Sequence, residues 1–147
     1  MKSLPRHLEV IYCDDIRQET GNKLSYMGVY SGELFVPDVP VLLPKLCIAV
    51  KVVTEAADPF ESLEIRILKG DNETELLATG PIAIPAETPS ATDGTTAQIA
   101  VFAFMLAPFQ IDEETIIRVK ATTEREDLRG VALRIRTASP ASEATVQ

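Results

Sequence analysis

Short runs of β-forming residues recur along the whole chain, each closed by a turn signal, and no stretch carries the 3.6-residue periodicity of an amphipathic helix. That pattern is the strongest constraint on the fold. Leu63 to Lys69 is the cleanest case: Leu63, Ile65 and Ile67 alternate with Glu64 and Arg66, and Gly70-Asp71-Asn72 follows as a hairpin turn. Leu46 to Thr54 places Leu46, Ile48, Val50 and Val52 on one core face. Ile116 to Thr122 buries Ile117, Val119 and Ala121 and turns Arg118 and Lys120 outward. Leu128 to Thr137 buries Val131, Leu133 and Ile135 and exposes Arg134 and Arg136, with Thr123 to Asp127 joining the last two strands as a hairpin.

Other segments are less regular. Ala97 to Leu106 is apolar on both sides, which predicts the central strand of its sheet. His7 to Cys13 is a strand of ambiguous parity, and Glu75 to Thr79 is a short one. Lys23 to Phe35 is long for a strand and contains Gly28 and Gly32, which predict bulges or a bend that lets it serve two sheets. Pro37, Pro40 and Pro44 make Val36 to Lys45 a semi-rigid connection with no central strand. Met1 to Arg6 reads as a loose polar entry, Gly80 to Gly94 as a mobile loop, and Ile111 to Glu114 as one helical turn. Seven or eight strands at this spacing predict an all-β fold, a single antiparallel β-sandwich of immunoglobulin-like or C2-like type over residues 1–137, with a disordered tail over 138–147. A chain of 147 residues is long enough to bury roughly 70 % of its unfolded surface around one core.

Charge limits the partners. Fourteen basic against 22 acidic residues leave a formal charge of −8, which disfavours broad binding to nucleic acid or anionic membranes. No apolar run is long enough for a membrane helix and Met1 to Arg6 has no apolar leader, so a cytoplasmic location is expected. The residue inventory excludes further chemistry. With His7 as the one histidine and Cys13 and Cys47 as the two cysteines, four nitrogen or sulfur ligands for zinc cannot be assembled. His7 and Cys13 lie roughly 20 Å apart at strand rise, beyond reach for nucleophilic catalysis. No phosphate-binding glycine loop or nucleophile elbow is present. Neither an enzyme nor a cofactor is expected. Cys13 and Cys47 are either two buried thiols or, if their strands are neighbours, a disulfide.

Three groups of charged residues remain as candidates. Loop carboxylates at one end of the sandwich (Asp14, Asp15, Asp58, Asp93, Glu126) or at the other (Asp38, Asp71, Asp112 to Glu114) could serve a calcium or small-ligand site, although none has the spacing of a calcium loop. Asp14-Asp15 is either a ligand or partner contact, or a strand terminator paired with Arg17 or Lys23. Arg118, Lys120, Arg134 and Arg136 would share one outer face, where like charges across a ladder are unfavourable. Nearby carboxylates such as Glu64 would neutralise them, or they form a basic patch for an acidic protein partner.

The opening V-I-Y-C-D-D-I-R-Q-E-T-G-N-K-L-S-Y-M-G-V-Y resembles the N-terminal signature of a functionally uncharacterised family of small bacterial and phage-associated β-sandwich proteins, at Cys13, Asp14, Asp15, Glu19, Gly21, Lys23, Gly28, Val29 and Tyr30. The closing L-R-G-V-A-L-R-I-R resembles that family's terminal strand. The resemblance implies a β-sandwich and transfers no activity, cofactor or catalytic residue. The expectation is therefore a non-enzymatic interaction or structural module, with an unknown protein partner or self-association through an exposed sheet face or edge.

Overall fold

A computed structural model of the chain describes residues 5–84 and 97–138. The fold is all-β, with no helix among the described residues. One sheet is antiparallel throughout and runs β2 (Lys23–Val29), β1 (His7–Glu19), β5 (Leu46–Glu55), β9 (Ala97–Leu106). A second, mixed sheet runs β3 (Glu33–Val36), β13 (Leu133–Thr137), β11 (Thr115–Thr123), β6 (Ser62–Lys69), β7 (Thr74–Ala78). Within it β3 and β13 are parallel. β12 (Asp127–Arg129) pairs with β11, and β8 (Ile82–Ala83) with β6. β4 (Val41–Leu43) and β10 (Phe109–Ile111) form a separate two-stranded ribbon.

The two larger sheets share one core. Leu46, Ile48, Val50 and Val52 of β5 meet Leu63, Ile65 and Ile67 of β6, Ile117 and Val119 of β11, and Leu133 and Ile135 of β13. Strict alternation puts each of these sets on one face, and burying each branched side chain is worth about 1.5–3 kcal/mol. Tyr12 crosses the core: it is 2 % exposed, and its hydroxyl donates to the Val131 carbonyl at 2.7 Å and the Ile117 carbonyl at 3.4 Å. Burial pushes its phenol pKa well up, so it stays a neutral donor.

Several local expectations are corrected. β1 does not end at Asp14-Asp15; it continues to Glu19, and the turn is formed by Gly21 and Asn22, both at positive φ. What ends near the acidic pair is the ladder with β5, whose last registered pair is Cys13–Cys47, so β1 and β2 continue as a two-stranded arm. The 23–35 segment does serve both sheets, as its glycines predict, but as two strands, β2 and β3, with Gly28 and Gly32 both at positive φ. Among the described residues β9 is an edge strand, not a central one. Its second apolar stripe faces outward, with Ile99 55 %, Val101 51 % and Met105 59 % exposed.

The last strand also divides. β12 and β13 both pair with β11, but the residue sum across the ladder rises by one between Lys120–Arg129 and Ile117–Leu133. One inserted residue in the Gly130 region inverts side-chain parity, so Val131 is exposed instead of buried. Gly130 fits tightly there, since a Cβ would overlap Val10 of β1. The helical turn expected over Ile111 to Glu114 is absent, β10 occupying its start. Arg6 is buried, not loose. The expected tail beyond Ala138, and residues 85–94 of the expected mobile loop, lie outside the described residues.

Candidate functional site

The outer face of the second sheet gathers all three of the predicted arginines. Because Ile116 registers with Arg134, and Arg118 and Arg136 lie two residues further along their strands, the three arginines share one face. They line an open cleft of about 530 Å³ together with Gly70, Asp71, Glu113, Glu114, Thr115, Ile116 and Ile135. Gly70 positions the β6–β7 turn by donating its amide to the Ile116 carbonyl at 2.9 Å. Glu114 is held by the Thr137 amide at 2.9 Å, which fixes the far wall. Among the described residues, Arg118, Arg134 and Arg136 have no hydrogen bond or ion pair to a side chain.

Lys120 stands apart from this group. It registers opposite Arg66 and Arg129 further along the sheet, and Asp127 Oδ2 lies 3.3 Å from its ammonium. Asp127 is held in its charged form by the Thr122 hydroxyl and, despite some burial, by Lys120. The neutralising partner anticipated for the whole basic row thus serves Lys120. Glu64 is 3.7 Å from Arg66.

The acidic corner is internally satisfied. Asp15 bonds Lys45 Nζ at 2.7 Å and Arg17 Nε at 3.3 Å, and these two bonds hold its carboxyl below the usual range. Asp14 accepts a short hydrogen bond from the Tyr30 hydroxyl, whose pKa burial and this bond raise. Arg17 is the partner expected, whereas Lys23 pairs with Glu19 by register and Lys45 takes its place. Three of the four carboxylate oxygens are thus engaged within the corner, and neither aspartate is without a side-chain partner. Nor do three or more His, Cys, Asp or Glu side chains gather as a metal-holding group anywhere among the described residues. Asp58 is engaged by Arg125 instead, and Asp93 lies outside the described residues.

Cys13 and Cys47 are free thiols, registered opposite one another on β1 and β5. Burial raises both pKa values, which lowers their thiolate fraction and nucleophilicity.

One charged cluster escaped the sequence reading. The Arg6 side chain is 2 % exposed and lies over the Phe60 ring, 4.7 Å from its centroid. Its Nε donates to Thr54 Oγ1 at 3.1 Å, Nη2 donates to the Pro59 carbonyl at 3.1 Å, and Nη1 contacts Glu124 Oε2 at 2.6 Å. Glu124 also accepts the Glu61 amide at 2.9 Å. Burial pushes the Glu124 carboxyl up, but the Glu61 amide, its own amide and Arg6 together outweigh it and hold the pKa at about 2. The cluster ties the start of β1 to the turns after β5 and β11 through the buried Arg6 guanidinium, which marks it as a structural clasp. A single arginine in a polar leader gives no periodic signal, so nothing local announced it.

No curated protein and no solved structure matches the chain. A family model does match, over residues 9–136, from the first core strand to the last and including all three cleft arginines. The chain therefore belongs to DUF6941, a family of unknown function.

Proposed function

We propose that this chain is a non-enzymatic interaction module, a β-sandwich of immunoglobulin-like or C2-like type, which docks an acidic segment of a protein partner in the arginine cleft of its second sheet. The observation that carries this reading is the trio Arg118, Arg134 and Arg136, three guanidinium groups on one face with no side-chain hydrogen bond or ion pair among the described residues, in a protein of formal charge −8. Guanidinium is permanently charged and presents paired donors that match a carboxylate, so three in a row favour an extended acidic segment over a single small anion. Lys120 contributes less, because Asp127 already engages it. A bacterial or phage-associated origin is the context that the N-terminal Cys13-Asp14-Asp15 and Gly28-Val29-Tyr30 pattern supports, and a cytoplasmic setting is proposed alongside it.

The test is binding of a poly-glutamate peptide, followed by fluorescence anisotropy at low salt. The native chain should bind, and Arg134→Glu with Arg136→Glu should abolish binding with the melting temperature nearly unchanged. Absence of native binding, or binding that survives the double charge reversal, would overturn the reading. The calcium alternative is separable by calorimetry: on the present reading calcium gives no binding heat, whereas affinity tighter than about millimolar would favour a loop-end calcium site.

A further inference from the structure

Among the described residues β9 presents the longest unpaired strand edge. Among the described residues it pairs with β5 on one side and with nothing on the other. Proteins normally blunt such edges with charge, proline, bulges or short length. The other sheet edges follow this rule: β2 carries Lys23 and a positive-φ Gly28, β3 is four residues long, and β7 is five residues long beside a register shift. β9 is ten residues without a charge, a proline or a glycine.

Both of its faces are also unfinished. Ile99, Val101 and Met105 on the outer side are each more than half exposed. On the inner side Phe102 and Phe104 stack on each other at 6.5 Å and pack against the core, yet remain only half-buried. An added strand would cover both stripes at once and satisfy the backbone groups along the edge.

We infer that the occupant of this edge is β9 of a second copy of the chain, joined antiparallel about a two-fold axis so that the two four-stranded sheets become one of eight. The sheet is antiparallel throughout, so self-pairing continues its existing pattern. Facing residues in an antiparallel ladder share a face, so Ile99, Val101, Ala103 and Met105 of one copy flank the same four in the other. Phe102 and Phe104 likewise meet their own counterparts, closing the core at its open end. A second copy presents what this edge matches, the same ten residues with no charge, proline or glycine and an apolar stripe on each side, and because the strand is uncharged two acidic copies can meet there without placing like charges opposite one another. The contact is isologous, so it closes at two copies and leaves no further edge of this kind. This surface is separate from the arginine cleft.

Light scattering coupled to size exclusion, over a wide range of protomer concentration, tests the inference. The native chain should approach twice the 16.0 kDa of one protomer as concentration rises, and β9 amides should gain hydrogen-exchange protection in parallel. Val101→Lys, and independently Met105→Lys, should return the protein to one protomer mass while Arg134→Glu leaves the dimer intact. A native chain that keeps the single-protomer mass and constant β9 exchange at every concentration would overturn the inference, as would a folded lysine variant that remains dimeric.

Discussion

Gly28 and Asp14 occupy adjoining space so closely that a Cβ on Gly28 would lie 2.8 Å from the Asp14 Cγ and overlap its Oδ2. Gly28 also sits at φ +68°, a region that costs other residues about 1 kcal/mol or more. Gly28→Ala should therefore destabilise the fold by about 1–3 kcal/mol, read from the urea midpoint. In an Asp14→Ala background the steric share should shrink to the 3.1 Å approach of the remaining residue-14 Cβ and the backbone share persist, so a double-mutant cycle should give a non-zero coupling.

Removing only the hydroxyl that spans the core isolates a second contribution. Tyr12→Phe keeps the ring but deletes the bonds to the Val131 and Ile117 carbonyls. A loss of about 1–1.5 kcal/mol is expected, which for a domain of this size lowers the melting temperature by about 3–5 °C. A variant that melts with the native protein would mean that water replaces the hydroxyl at both carbonyls.

Acid should loosen the Arg6 clasp. The Glu124 carboxyl is depressed from 4.5 to about 2 in the fold, so its contribution is fully present above pH 4.5 and is lost as the pH falls toward 2. After solvent screening this is worth about 1–2 kcal/mol. Asp15, Asp58, Glu73 and Asp127 shift in the same direction, so the native protein should lose stability across that window. Glu124→Gln should be less stable at neutral pH and show a shallower acid dependence, measured by denaturant titration at a series of pH values.

Cys13 and Cys47 should be silent toward thiol reagents in the folded state, because burial protects both and raises both pKa values. Titration with a chromophoric disulfide should count no fast-reacting thiols in native protein and two after denaturation. Rapid labelling without denaturant would show that the outer face of the first sheet opens readily.

The strands were legible where one face is wet. Glu64 and Arg66 alternate with Leu63, Ile65 and Ile67, and both ends of β6 fall within a residue of expectation. The arginine row was legible for the same reason, since alternation alone places Arg118 outward on β11 and Arg134 and Arg136 outward on β13. Sheet order was not: β9 has two apolar faces, and composition cannot distinguish a strand buried on both sides from an edge strand awaiting a neighbour. Parity also failed after Gly130, where one inserted residue turned Val131 outward without altering the apolar pattern. Arg6 was missed because its burial depends on Thr54, Pro59 and Glu124, all distant in sequence. The Asp14-Asp15 pair stands out in the sequence, yet it marks the end of the β1–β5 ladder and not of β1, since both carboxylates find partners and the strand continues past them.

Beyond Cys13, β1 leaves β5 behind and continues only with β2 as far as the turn at Gly21-Asn22. None of the fully buried core side chains comes from this arm, and a two-stranded ribbon has no hydrophobic layer of its own to hold it. Its tip should therefore accept shortening, extension or a foreign hairpin, with the urea midpoint nearly unchanged and the sheets behind it keeping their order.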